Sequence, residues 1–232
     1  ISKKILFWYD NNKRILPWRK NTSKEQKLYF TLVSEFMLQQ TQVSTVIPYF
    51  KRFVQKIPNF KKLSKANDQT LMKLWEGLGY YSRARNLKKS AIMINGKFGG
   101  TLPSNIEDLK SLPGVGDYTS TAIMAIAFNQ KFIPLDGNVE RILKRVLYLR
   151  NEKDISKENM QISKNFFGLS ERASDYAQAI MELGALVCRP TSPLCGKCPI
   201  RINCISYKRK DFSLIKKTKK NKIKYFEANI YM

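Results

Sequence analysis

All four cysteines of this 232-residue chain fall near its C-terminal end, at Cys188, Cys195, Cys198 and Cys204, in a C-x6-C-x2-C-x5-C run. No other stretch constrains the fold as tightly, because Pro190, Pro193, Gly196 and Pro199 bend the backbone between the thiols. Such a loop suits a tetrahedral set of soft ligands around one metal centre, either zinc or an iron-sulfur cluster. Two disulfides of a secreted protein fit poorly: cysteine occupies one small patch of a long chain, and the first residues do not read as a signal peptide. Spacings of six, two and five differ from the short paired C-x2-C knuckles usual for zinc, which favours a 4Fe-4S cluster.

The net charge of +24 is too large to come from a tail alone. From Ile205 onward nine Lys or Arg stand against Asp211 and Glu227, a surplus of seven that leaves +17 on residues 1–204. A basic body calls for a polyanion, and nucleic acid is favoured over a membrane surface because no basic amphipathic helix stands alone. No apolar run is long enough to cross a membrane. The chain contains no histidine, so a general acid or base at neutral pH must be a carboxylate, Tyr, Lys or water.

Helical periodicity runs through most of the sequence. Ile5 to Tyr9 read as a short amphipathic helix, ended by the turn at Leu16, Pro17 and Trp18. A long helix is expected from Glu25 to Val46, with Leu28, Leu32, Val33, Phe36 and Met37 at helical spacing, and a further short helix between Pro48 and Pro58. Within SEFMLQQTQV (Ser34 to Val43), Glu35 falls at the edge of the apolar stripe. A carboxylate placed there is half-desolvated, which raises its pKa and keeps a proton available near neutrality. Asn67 or Asp68 caps a helix over 69–75. In WEGLGYYSRARNL (Trp75 to Leu87), Gly77 and Gly79 make a turn that carries Tyr80 and Tyr81, followed by Arg83 and Arg85. Aromatic tips beside arginines suit a protein that wedges a base stack while gripping phosphates.

Ser104 and Glu107 form a capping box for a helix over Ile106 to Ser111. It runs into Leu112, Pro113, Gly114, Val115 and Gly116, then a helix rich in small residues from Tyr118 to Phe128. This helix, LPGVG turn and helix carry the helix-hairpin-helix signature, in which backbone N–H groups meet a DNA phosphate without reading a base. Asp136 or Asn138 caps a helix over Val139 to Leu149, and an aspartate at a helix start is held ionised by the dipole, ready to face a developing cation. A linker over Asn151 to Glu158 precedes helices over Asn159 to Leu169 and Asp175 to Val187. The lysine-rich run after Tyr207 reads as a linker and Tyr225 to Met232 as the start of a strand.

Taken together, LPWRK, SEFMLQQTQV, WEGLGYYSRARNL, LPGVGDYT, LDGNVERIL, MELGALVC and the cysteine loop make the chain, from about Leu16 to Cys204, resemble the MutY adenine DNA glycosylases. These belong to the helix-hairpin-helix superfamily that includes endonuclease III. The resemblance implies an all-α, two-lobed fold: a six-helix barrel over residues 22–130 bearing the hairpin, a 4Fe-4S lobe over 1–21 and 131–207, and a basic linker over 208–232 toward an absent C-terminal domain. It implies removal of adenine from A:8-oxoguanine or A:G mispairs in double-stranded DNA by a monomer that leaves an abasic site. Localisation would be nucleoid-associated and cytoplasmic in a bacterium, or nuclear or mitochondrial in a eukaryote.

By the same resemblance Glu35 is the general acid, Asp136 stabilises the oxocarbenium-like sugar, and Asn138 and Tyr118 hold these groups in place. Trp18, Arg19, Leu38 and Glu182 would line the adenine pocket, although the loop between Trp18 and Glu35 is longer than the family's usual spacing. Gln40 and Tyr80 would wedge into the stack, and Leu112, Gly114, Val115 and Gly116 would grip the backbone. Cys188, Cys195, Cys198 and Cys204 would ligate the cluster, setting Arg189, Lys197 and Arg201 against phosphates. Bifunctional relatives carry a Schiff-base Lys just after the hairpin, where this chain has Tyr118. A mismatch thymine glycosylase would also have Tyr there, and the QQTQ run argues for adenine. A catalytically idle DNA-binding module would share the charge and hairpin, but has no need of both Glu35 and Asp136. The family's separate NUDIX-like domain, which helps recognise 8-oxoguanine, would begin where this chain ends, so mispair preference would be weakened.

Overall fold

The computed structural model describes residues 1–20, 22–149 and 164–213. The linker read at Asn151, the start of the Asn159 helix and the strand read at Tyr225 lie outside them. The described residues are helical, with no β-strand among them. In chain order the helices are α1 (Ser2–Asn12), α2 (Lys24–Leu38), α3 (Val43–Lys56), α4 (Phe60–Ser64), α5 (Asp68–Trp75) and α6 (Ser82–Lys97). There follow α7 (Ile106–Ser111), α8 (Asp117–Ile126), α9 (Gly137–Leu147), α10 (Ala173–Leu186) and α11 (Ile205–Arg209), with short 3-10 turns at Pro17–Arg19, Cys195–Lys197 and Arg201–Asn203. None of these helices is long and apolar enough to cross a membrane.

Buried side chains form two clusters. One draws on α2 to α8 and centres on Phe36, Phe50, Phe53 and Trp75. The other joins Ile5, Leu6, Trp8 and Tyr9 of α1 to Val139, Ile142 and Leu143 of α9 and to Ile180 and Leu183 of α10. Each fully buried Leu, Ile or Phe contributes about 1.5–3 kcal/mol relative to an exposed one, so either cluster offsets a large share of the chain's ordering entropy. Helix α10 packs on α1 and α9 and also on α8, and thereby ties one cluster to the other. Asn129 reinforces the tie: its Nδ2 donates to the Glu171 carbonyl and its Oδ1 accepts from the Ser174 N–H.

The structure redraws several boundaries. The helix expected to run unbroken from Glu25 to Val46 stops at Leu38, where Gln39 leaves helical geometry and Gln40 enters the left-handed region at φ 55°. A new helix opens at Val43 and continues through Pro48 to Lys56, so no separate helix starts at Pro48. Proline is tolerated there at the loss of one backbone bond. The box expected of Ser104 and Glu107 sits one residue later. Asn105 accepts from the Asp108 N–H and donates back to the Asp108 carboxylate. Asn67, as expected, caps α5. Helix α9 ends at Leu147 instead of Leu149 because Tyr148 takes the left-handed conformation, at φ 58°.

Candidate active site

A cleft of about 1210 Å³ runs along the junction of the two clusters. That exceeds the ~300–1,000 Å³ of ordinary small-molecule pockets, and the cleft has room for a turned-out nucleotide. Glu35, Tyr118, Asp136 and Asn138 line it, together with Trp18, Arg19, Leu38, Gln40 and Glu182. These positions come from α2 and the turn after it, the start of α8, the start of α9, α10 and the Pro17–Arg19 turn, and only the fold brings them together.

Glu35 is buried more deeply than its place at the stripe's edge suggests, at 5% exposure. Removal from water pushes its carboxyl up to about 7 from the ordinary 4.5. A hydrogen bond from Tyr118 pulls it down, Asp136 pushes it up and Arg19 pulls it down, each by less than burial does. Burial, aided by the charges of Glu35 and Asp136, raises the Tyr118 phenol well above its usual value. At neutral pH the site therefore holds a neutral phenol against a carboxyl that is about half protonated.

Asp136, not Asn138, caps α9. Its Oδ1 accepts from the backbone N–H of Asn138 at 2.9 Å and of Val139 at 2.7 Å, and its Oδ2 accepts from the Asn138 amide at 2.8 Å. The carboxylate thus sits at the positive end of α9 with its oxygens fixed. Asn138 is held in turn by Arg141, whose Nη2 donates to the Asn138 Oδ1 at 2.5 Å and to the Gly184 carbonyl at 2.9 Å, while its Nε donates to the Cys188 carbonyl. Gly184 must lack a side chain here, since a Cβ would lie 2.5 Å from that of Asn138.

Glu182 is fully buried and held by Arg14 through both carboxylate oxygens, and by Arg19 at 2.9 Å. The sequence singled out Glu182 and Arg19 and missed Arg14, which is in no motif and is paired by a residue 168 positions away. Trp18 stands edge-on to Phe50 at 5.3 Å, anchoring the turn that carries Arg19.

In the hairpin, Gly114 has φ +85° and a Cβ there would press on Phe36 and Asn86. Space around Gly116 is open. Leu112 and Val115, expected at the DNA grip, have buried side chains that anchor the turn from within and leave only its backbone groups to face outward. Gln40 and Tyr80 are exposed on neighbouring turns. Arg83, expected to hold phosphate, is only 6% exposed and bonds carbonyl groups instead; Arg85 is exposed.

Cys188, Cys195, Cys198 and Cys204 are unpaired and line one small cavity. Burial raises the thiol of Cys198 to about 11 and lifts Cys195 and Cys204 as well. Thiols held protonated in this way become ligands once a cationic centre deprotonates them. Arg145 is buried beside them, with Nη1 3.4 Å from the Cys188 Sγ and bonded to the Arg189 carbonyl, and its partner Nη2 bonds the Pro190 carbonyl. Among the described residues no three His, Cys, Asp or Glu side chains are placed to hold a single ion. Four soft donors around one cavity suit a soft metal centre. Arg189, Lys197 and Arg201 are exposed on this loop.

Residues 33–166 match the HhH-GPD superfamily of base excision DNA repair proteins. The chain belongs to that superfamily. The adenine DNA glycosylase of Rattus norvegicus is 43% identical over 218 residues, covering 89% of this chain and 42% of the rat protein. That of Buchnera aphidicola subsp. Schizaphis graminum is 38% identical over 226 residues, covering 96% of this chain and 64% of its own. The chain thus spans less than two thirds of these relatives. A thermostable thymine-DNA glycosylase superposes with a TM-score of 0.78 at 26% identity, over 90% of this chain and 95% of that one.

Proposed function

We propose that this chain is a monofunctional adenine DNA glycosylase that removes A from A:8-oxoguanine or A:G mispairs in duplex DNA and leaves an abasic site. The observation that carries this reading is Glu35, a buried carboxyl poised near pH 7, hydrogen-bonded by Tyr118 and set beside Asp136 in a cleft that admits a nucleotide. Adenine leaves poorly as an anion, so cleavage of its glycosidic bond needs a proton donor and a fixed negative charge opposite the sugar. Glu35 supplies the proton, Asp136 faces the developing cation, and Asn138 and Tyr118 keep both in place. The net charge of +24 and the hairpin suit a duplex. Similarity to curated adenine glycosylases favours adenine over thymine, and Tyr118 offers no amine for a Schiff base.

A single-turnover assay on duplexes holding A opposite 8-oxoguanine, A opposite G, A opposite T, and T opposite G tests the reading. Strand breaks are expected at the two A mispairs and only after alkali. Cleavage of T opposite G alone moves the protein to the thymine branch, and a borohydride-trappable nick at comparable rate overturns monofunctionality.

Cys188, Cys195, Cys198 and Cys204 are the ligands for a 4Fe-4S cluster in this reading, and when bound it would staple the loop that presents Arg189, Lys197 and Arg201. Anaerobically purified protein should contain about four iron atoms per chain, as such a cluster requires. Zinc without iron overturns the assignment.

A further inference from the structure

We infer that Arg83 is a positioning residue that locks the Gln39–Gln42 turn and the Gly77–Tyr80 turn into one wedge for separating stacked bases. The inference rests on the reading of this chain as a base-extruding glycosylase. The Nη1 of Arg83 donates to the carbonyls of Phe36 at 3.2 Å and Met37 at 2.8 Å, more closely still to that of Gln39, and to the Thr41 Oγ1 at 3.1 Å. Its Nη2 donates to the carbonyls of Leu78 and Gly79, each at 3.1 Å. The first group includes end-of-helix carbonyls of α2 that have no partner within the helix. One planar guanidinium therefore satisfies both turns at once.

Each of the two turns holds a non-glycine residue in the left-handed region, Gln40 at φ 55° and Tyr80 at φ 46°. That conformation costs a side-chain-bearing residue free energy and persists only where the surroundings fix it. Arg83 is the shared fixture. Its guanidinium also stands over the Tyr80 ring at 5.4 Å and the Trp75 ring at 5.6 Å, and the Trp75 indole N–H donates to the same Gly79 carbonyl. Gln39 adds a bond from its Nε2 to the Gly114 carbonyl at 3.3 Å, registering the wedge against the hairpin turn. Unstacking a base opposes the tips with several kcal/mol, so a tip free to swing would yield before the stack did. Lysine, a single point charge without the planar fork, cannot hold both turns.

The test compares wild type with Arg83→Lys in the full chain, using 2-aminopurine in place of adenine to report unstacking and adenine substrates to report release. Duplex affinity should hold within about threefold, because phosphate contacts carry it. Unstacking should fall about 10- to 100-fold, the factor carried by one or two charge-assisted hydrogen bonds. Adenine release should fall equally from a stacked mispair but by less than about threefold when the adenine lies in single-stranded DNA, where turning it out costs least. Equal loss on both substrates, or no loss of unstacking, overturns the inference. Should the lysine variant not fold, Thr41→Val removes one acceptor on the same fork and must show the same substrate split, weaker in size; its absence also overturns the inference. Wild type that unstacks 2-aminopurine yet releases no adenine would sink the adenine reading and leave the lock standing.

Discussion

Glu35→Gln should lower base release about 10³-fold or more while duplex affinity stays within a few fold, since a positioned general acid contributes ~10²–10⁴. The amide keeps the shape and accepts from Tyr118 but has no proton to give. Wild-type release should fall as pH rises above about 7, where burial leaves Glu35 half protonated. In the variant, stability should move the opposite way from activity. The folded protein holds the Glu35 proton better than the unfolded chain, whose carboxyl titrates near 4.5. Ionised Glu35 therefore costs stability; the cost is absent below that value, grows as pH rises toward 7 and is complete above it. The shift corresponds to about 3 kcal/mol. Glu35→Gln avoids it, so at pH 8 the variant should melt several degrees higher than wild type, and the gap should close near pH 4.5. Equal loss of binding and release, with a lower Tm at pH 8, would give Glu35 a structural role.

How far the sequence discloses this site depends on the range over which each residue is determined. Spacing along one helix put Glu35 beside apolar neighbours, and the aspartate within LDGNVERIL announced a cap; both signals are local and both were legible. The depth of Glu35 was not, because it depends on α8 and α9 closing over it. The break after Leu38 was illegible for a similar reason. The residues there continue a helical pattern, and the partner for the released carbonyls is Arg83, 44 positions beyond Gln39. Its place beside Tyr80 and Tyr81 made Arg83 read as a phosphate grip, since a sequence records the guanidinium and not its burial. The burial of Leu112 and Val115 was equally hidden: their side chains serve the core while their backbone forms the turn. Arg141 follows Asn138 by three positions, a spacing that predicts contact on a helix, yet two further partners, Cys188 and Gly184, lie more than forty residues away.

Asp136→Asn isolates the fixed charge from the cap that carries it. Asparagine caps a helix about as well as aspartate, and its carbonyl oxygen can still accept from the Asn138 and Val139 N–H groups, so α9 should form. The second oxygen is different, because it accepts from the Asn138 amide, whose own oxygen accepts from Arg141. An amide nitrogen there faces a donor. Turning the Asn138 side chain over relieves that clash only by presenting its nitrogen to Arg141, so one donor stays unmatched in either arrangement. That mismatch should cost about 1–3 kcal/mol and lower Tm by several degrees. Base release should fall further than any such loss explains, by about 10²–10³, the range seen when a preorganised group is withdrawn from a developing charge. The measurement is a single-turnover rate at a temperature where circular dichroism shows the variant fully folded. A rate within about tenfold of wild type there would reduce Asp136 to a cap and pass the burden of stabilising the sugar to Glu35.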